Sequence, residues 1–184
     1  MKMLQRGQLA PDFSAHTFEG EEVTLKAYRG AKLWLTFYRF ASCPLCNYRI
    51  HEVLARYEEF TNAGIRLVGV FQSPPEKIAK YVAKKDPPFN LIADPKLDLY
   101  RLYGVSPSVW GLFKPEVFST AFKAMFKGIF PGSIEGPVAM RPAEFLIDPE
   151  GLIWDAFYGR SVADHMPFDR VAEFAADPCL SVPA

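Results

Sequence analysis

The spacing of apolar residues changes character several times along this chain. Residues 32–40, KLWLTFYRF, form a nearly continuous apolar and aromatic run of strand length, the pattern of a central strand covered on both faces. From Pro44 onward the period lengthens. Cys46, Ile50, Val53, Leu54 and Tyr57 recur at helical spacing, and Arg49, Glu52, Arg56 and Glu58 largely fill the other face, which predicts an amphipathic helix. Asn62, Ala63 and Gly64 stop it, and IRLVGVF at 65–71 reads as a second buried strand. Ser73 stands as an N-cap before two prolines, opening a helix to 84 or 85 that turns Ile78, Tyr81 and Val82 inward. A short strand at 89–93 then precedes Asp94-Pro95 and a helix over 96–103 ended by Gly104. FLID at 145–148, the turn Pro149-Glu150-Gly151 and LIWDAFY at 152–158 predict a hairpin, followed by a last helix over 167–176. At the other end, residues 11–25 surround the turn signal Glu19-Gly20 and predict an N-terminal β-hairpin.

Alternating strands and helices that finish in a hairpin and a helix imply an α/β fold of thioredoxin-like topology, a central mixed sheet flanked by helices. Residues 106–137 break the alternation and read as a helical insert. Within it Phe118, Phe122, Phe126 and Phe130 recur every four residues, with Lys123 and Lys127 between them, so one helix face is strongly apolar. The 184 residues are too few for two ordinary domains, and a single domain over 1–184 is expected.

Composition narrows the function classes. With 49% hydrophobic and 15% aromatic residues the chain has the apolar surface to order itself. Twenty-one Lys plus Arg balance twenty-one Asp plus Glu, so no global field draws it to nucleic acid or an anionic membrane. MKMLQRGQLAPDF lacks the apolar stretch of a secretory signal, and no run approaches the roughly 18 residues of a membrane span. Three cysteines without a signal argue against a structural disulfide framework and for a reducing cytoplasm.

Two of those cysteines form Cys43-Pro44-Leu45-Cys46, placed where a buried strand hands over to an amphipathic helix. At a helix N-terminus the free backbone N–H groups and the dipole favour a thiolate, the reactive form of the residue. Two intervening residues also let the sulfurs meet across the first turn, so either can resolve the other's oxidised form. The competing readings are a buried structural pair and zinc. A zinc site needs about four ligands, and outside this motif the chain offers only scattered His16, His51, His165 and Cys179.

GQLAPDF, EGEEVTL, YRG, LTFYRFASCPLC, PFNLIADPKLDLYRLYGV and FLIDPEGLI resemble, in order and spacing, the peroxiredoxin (AhpC/TSA) family over nearly the whole chain outside the insert. FYGRSVADHMPF further resembles its CxxC-containing branch. The family's proline, threonine and peroxidatic cysteine fall on Arg39, Cys43 and Cys46, so only the cysteine is kept. The resemblance implies that Cys46 attacks a peroxide and Cys43 resolves the sulfenic acid; a thioredoxin analogy assigns the two the other way round. It also implies a catalytic arginine, for which Arg141 is the nearest match one residue upstream of the expected place, while Arg39 could substitute electrostatically for the missing threonine. Pro142 corresponds to the proline that thioredoxin-like proteins hold in cis facing the cysteines. Pro44 and Trp110 are further candidate substrate contacts, with Trp110 and the phenylalanine helix covering the motif, forming a homodimer face or packing as core. Asp164 and His165 form a candidate acid/base pair or precede the last helix, and Cys179 is a candidate second resolving thiol. The implied function is hydroperoxide reduction through a Cys43/Cys46 disulfide reopened by a thioredoxin- or glutaredoxin-like reductant, without metal or organic cofactor. Protein disulfide exchange and a redox-sensing binding module are the alternatives.

Overall fold

In the computed structural model, which describes residues 2–112, 115–129 and 132–177, five strands form one mixed sheet beside a separate hairpin. The hairpin pairs β1 (Ser14–His16) with β2 (Glu22–Thr24) around the expected turn. The sheet contains β3 (Lys32–Phe37), β4 (Ile65–Phe71), β5 (Asn90–Ala93), β6 (Ala143–Ile147) and β7 (Ile153–Tyr158), in spatial order β5-β4-β3-β6-β7. β3 lies parallel to β4 and antiparallel to β6; β5 extends the parallel side and β7 the antiparallel side. The helices are α1 (Pro44–Ala55), α2 (Tyr57–Asn62), α3 (Pro75–Tyr81), α4 (Asp98–Leu102), α5 (Pro115–Phe126) and α6 (Phe168–Ala176).

All six residues of β3 are buried because both faces of the sheet are covered. Successive side chains alternate between the faces. Leu33, Leu35 and Phe37 join Val68, Val70, Phe145, Ile147, Tyr100 and Tyr103 on one side. Trp34 joins Val53, Phe60, Leu146 and Phe174 on the other, under α1, α2 and α6. Beyond the end of β3 on this second side, Tyr38, Cys46, Ile50, Phe71 and Ile78 share a cluster. Each fully buried large side chain contributes about 1.5–3 kcal/mol relative to exposure, so the CPLC helix is held along its whole inner face.

Three expected boundaries move for local reasons. The long helix breaks at Arg56 (φ −119°, ψ 11°), whose guanidinium turns to Glu59 and lies over the Phe60 and Phe168 rings. Ser73 does not cap α3; the cap position is Pro74, and the Ser73 hydroxyl instead accepts a bond from the Ala41 amide at 2.8 Å. The helix expected to reach 84 or 85 stops at Tyr81 and continues as a single tighter turn, Ala83–Lys85.

The insert returns to its starting point. The Ser108 amide donates to Ala139 O at 2.8 Å, and Pro107 bridges Met140. Between these stems α5 packs against α1, with Ala124 buried and Val117 against the cluster that contains the cysteines. The phenylalanine face turns the other way, to solvent: Phe118, Phe122 and Phe126 are exposed. Phe130 falls outside the described residues.

Candidate active site

Cys43 occupies the N-cap position of α1 in extended conformation, without a side-chain capping bond, and Pro44 follows in the first turn. Proline suits that place because its missing N–H would have had no helical partner. The loop from Tyr38 to Cys43 is braced from within. Asn47 Nδ2 donates to Ala41 O at 2.6 Å and Cys43 O at 3.0 Å, and Lys85 Nζ donates to Asn47 O and Oδ1 at 3.1 and 2.8 Å. Both cysteines are free thiols, Cys43 1% and Cys46 0% exposed.

Arg39 addresses both sulfurs. Its Nη1 donates to Cys43 Sγ at 3.3 Å, and its backbone amide to Cys46 Sγ at 3.4 Å. Burial by itself pushes the Cys43 pKa up, but the Cys46 thiol, the Arg39 guanidinium and the amides of Cys46 and Leu45 outweigh it and bring the group down to about 6. For Cys46 the balance is opposite: burial and the adjacent Cys43 hold it well above the ordinary thiol range. Within the pair the surroundings therefore favour negative charge on Cys43 over Cys46.

Residues 132–138 of the insert cover this loop. Arg39 Nη2 donates to Val138 O and the Ser42 hydroxyl to Ser133 O. Gln72 Nε2 donates to Glu135 O at 2.8 Å and Pro137 O at 3.2 Å. The Glu135 carboxylate accepts from Ser73 Oγ at 2.8 Å and pairs with Lys77. Gly132 permits the close approach, since a Cβ there would stand 2.7 Å from the Tyr81 hydroxyl and 2.8 Å from Ser42 Cβ. These cover bonds are polar and reversible.

Residues 6–156 match the model of the AhpC/TSA family. The chain belongs to the AhpC/TSA family. A relative named putative peroxiredoxin Rv2521, from Mycobacterium tuberculosis, is 26% identical over 163 residues, 89% of this chain and 90% of that protein. Among solved structures, peroxidoxin BcpB from Mycobacterium tuberculosis superposes with a TM-score of 0.66 at 18% identity, covering 95% of this chain and 94% of that one. A putative thiol:disulfide interchange protein DsbE from Chlorobium tepidum gives 0.63 at 22% identity over 94% and 98%. These likenesses show the thioredoxin-type fold of the AhpC/TSA family.

Within the AhpC/TSA frame, the structure brings Cys43, Pro44, Cys46 and Arg39 together and leaves the other expected residues apart. Arg141 reaches Ser106 O and Oγ, each at 3.4 Å, and among the described residues no hydrogen bond joins it to a sulfur. Pro142 is not cis: there is no cis peptide among the described residues, in line with the intrinsic trans preference, and its carbonyl accepts from the Gly159 amide. Trp110 is 84% exposed and covers nothing; the covering role belongs to 132–138. Asp164 accepts from the Arg160 amide, whereas His165 turns inward and pairs with Glu144 at 2.9 Å, so the Asp164/His165 pair does not form. Cys179 falls outside the described residues. Among the described residues no cluster of three or more His, Cys, Asp or Glu side chains is placed to hold a metal ion.

Sequence reasoning missed Glu144, Gln72 and Glu135, and read Ser73 only as a helix cap. Only Glu144 carried a local signal, a lone acid inside the buried run AEFLI, where an unpaired charge is too costly to stand.

Proposed function

We propose that this AhpC/TSA-family protein is a dithiol peroxidase in which Cys43 attacks the hydroperoxide and Cys46 resolves it. The observation that carries this reading is the Arg39 guanidinium 3.3 Å from Cys43 Sγ, which with the Cys46 thiol favours a thiolate on Cys43, whereas burial and the adjacent Cys43 disfavour one on Cys46. This reverses the roles that the family resemblance implies and follows the thioredoxin-like order.

The Cys43 thiolate forms a bond to one peroxide oxygen as the O–O bond breaks, giving Cys43 sulfenic acid and an alcohol or water after protonation. Arg39, at the sulfur, stabilises the negative charge that moves onto the departing oxygen. The Cys46 sulfur then attacks Cys43, hydroxide leaves as water, and a Cys43–Cys46 disulfide closes. A thioredoxin- or glutaredoxin-like dithiol reopens it, which suits the reducing cytoplasm expected from the sequence. Among the described residues no helix is long and apolar enough to cross a membrane. Since both sulfurs are buried, the cover at 132–138 has to part in each cycle.

The second reading, protein disulfide exchange, is favoured by the same charged first cysteine, which would attack a disulfide as readily as a peroxide. Stopped-flow mixing of reduced protein with hydrogen peroxide, with thiol counting and mass mapping, separates the two. Rapid loss of two thiols with a Cys43–Cys46 bond supports the peroxidase; no reaction, with insulin disulfides reduced instead, supports exchange. Cys46→Ser should still consume one peroxide and accumulate sulfenic acid, whereas Cys43→Ser should consume none. The inverse result returns the attacking role to Cys46.

A further inference from the structure

A cavity of about 260 Å³ opens beside the CPLC loop, lined from α1, the Ala83–Lys85 turn and the end of α5, and the reaction above does not use it. Ser42 and Asn47, 1% and 4% exposed, line it together with the half-buried Lys85 and the exposed Lys84 and Lys127. Among the described residues no acidic side chain lines it, and none of the three lysines forms an ion pair. Lys85 Nζ donates instead to the neutral Asn47 O and Oδ1 at 3.1 and 2.8 Å. Burial and the neighbouring Lys84 bring its pKa down to about 8. Three cations around one small cavity repel one another, and an anion seated among them relieves that repulsion. The last carbonyls of α5 do not stand open against such an anion, because Met125 O accepts from the Gly128 amide at 2.9 Å and Ala124 O from the Ile129 amide at 3.0 Å.

The residues that line the cavity also hold the backbone of Cys43. Ser42 precedes it, and Asn47 Nδ2 donates to Cys43 O at 3.0 Å, so a molecule seated there lies against the loop that presents the sulfur. The Ser42 hydroxyl donates to Ser133 O of the cover as well. Cavity and cover thus meet at one residue, and parting of the cover opens the way from one to the other. The volume lies just below the roughly 300–1,000 Å³ of pockets for drug-sized ligands, so the occupant is small. Oxidation state selects between a substrate and a reductant. In the reduced protein negative charge favours Cys43 and offsets Arg39. In the Cys43–Cys46 disulfide neither sulfur is charged, so Arg39 and the three lysines face no thiolate. An anion is therefore admitted best when the protein is oxidised, the state that calls for a thiol rather than a peroxide.

We propose that this cavity binds the anionic group, a carboxylate in the simplest case, of a small thiol that reopens the Cys43–Cys46 disulfide. The thiolate RS⁻ attacks Cys43 Sγ, the S–S bond breaks, and its electron pair leaves on Cys46, which takes up the proton given by RSH. A second RS⁻, its proton released to solvent, attacks the RS sulfur of Cys43–S–SR; the Cys43 thiolate departs and RSSR leaves. Two thiols are oxidised to one disulfide as the protein disulfide is reduced, and no other reactant enters. The site thus admits a reductant besides a protein dithiol. The inference rests on the Cys43/Cys46 couple of the proposed function and not on its reaction with peroxide.

Its test therefore starts from protein oxidised with diamide, without peroxide. The oxidised protein is mixed anaerobically with excess thiol, and opening of the disulfide is followed by quenching and thiol counting. Two pairs of different reach are compared at equal thiolate concentration, mercaptopropionate with its amide and mercaptohexanoate with its amide. In the wild type the acid should outrun the amide about three- to tenfold in at least one pair, the scale of two exposed charge contacts, and its rate should saturate. In the double variant Lys84→Gln/Lys127→Gln the ratio of acid to amide should fall to about one, a ratio that a merely structural disturbance leaves alone. Lys84→Glu/Lys127→Glu should reverse the preference, towards the cationic thiol cysteamine. The control Lys2→Gln/Lys96→Gln removes the same charge from exposed positions outside the cavity and should keep the wild-type ratio. Equal rates within both wild-type pairs would overturn the proposal. So would the same loss in the control, which marks a general field instead of a site. Slower reduction by thioredoxin in the Lys84/Lys127 variants, with no preference among the small thiols, would overturn it in favour of an acidic protein surface. If the preference appears in a protein that ignores peroxide, the peroxidase reading fails and this one stands.

Discussion

Replacing Arg39 with methionine removes the guanidinium 3.3 Å from Cys43 Sγ while keeping a side chain of similar length. At that distance two unit charges in an effective dielectric of about 20 attract by roughly 5 kcal/mol. The net worth of a charge-assisted hydrogen bond, about 1.5–3 kcal/mol, is the better guide because the guanidinium also gives up hydration to sit there. At 1.36 kcal/mol per pH unit this is a rise of about 1–2 units in the Cys43 pKa, from about 6 in the native protein. Taking 1.5 units, the thiolate fraction at pH 5.5 falls roughly 20-fold, from about a quarter to about one per cent. The more basic sulfur regains about fivefold in intrinsic nucleophilicity, from a Brønsted slope of roughly 0.4–0.5. Alkylation should then be about fivefold slower than wild type at pH 5.5 and about fivefold faster above pH 9, so the two profiles cross. Losing the bond to Val138 O also loosens the cover, which displaces the whole profile upward without moving its midpoint. The midpoint is therefore the deciding quantity, read from thiolate ultraviolet absorbance as well as from alkylation. A midpoint within about 0.3 unit of wild type would refute the electrostatic role of Arg39.

The reduced protein should have a domed stability profile that the oxidised form lacks. The Cys43 pKa is depressed by folding, so its contribution is present above the unfolded thiol range and lost as pH falls through about 6. The Cys46 pKa is raised, so stability falls again once the unfolded thiol ionises, placing the maximum near the ordinary thiol pKa; urea melts across pH, with and without reductant, check this. Glu135→Ala removes the acceptor for Ser73 and the partner of Lys77. Losing about 0.5–1.5 kcal/mol of cover bonding should speed iodoacetamide reaction at Cys43 roughly two- to tenfold without moving the pH midpoint. An unchanged rate would mean that access does not depend on this segment. Phe122→Ser, on the exposed face of α5, should change stability by no more than about 0.5 kcal/mol, whereas Phe145→Ala in the sheet should cost about 3–5 kcal/mol; thermal melts compare them.

The frame was legible because burial on both faces leaves its mark residue by residue. KLWLTF and IRLVGVF read as strands because their inward positions are mostly apolar, Lys32 and Thr36 being buried polar exceptions in the first, and CPLC stood out because the period changed at that point. The insert was legible only as an interruption. Its phenylalanine spacing gave the helix but not its orientation, and burial of Val117 and Ala124 instead left the larger apolar face in solvent. Arg141, Pro142 and Trp110 were placed by proximity in sequence, which cannot report which neighbours a loop finally selects. The polar groups around the cysteines come from places far apart in the chain. His165 Nδ1 finds Glu144 twenty-one residues away and Gln72 Nε2 finds Glu135 sixty-three away, and no periodicity encodes such meetings.

The stems of the insert meet at Ser108 and Ala139, so its two covalent connections to the frame stand side by side. Chemistry and admission are thereby assigned to different stretches of polypeptide. Replacing 109–138 by a short turn would leave the strand order intact and require little loop-closure adjustment, because the ends already stand together. What such a graft would alter is how often the sulfurs meet solvent. The insert can thus be exchanged as a module, retuning exposure of the reactive pair and of the α1 face that α5 now covers, while leaving the sheet unchanged.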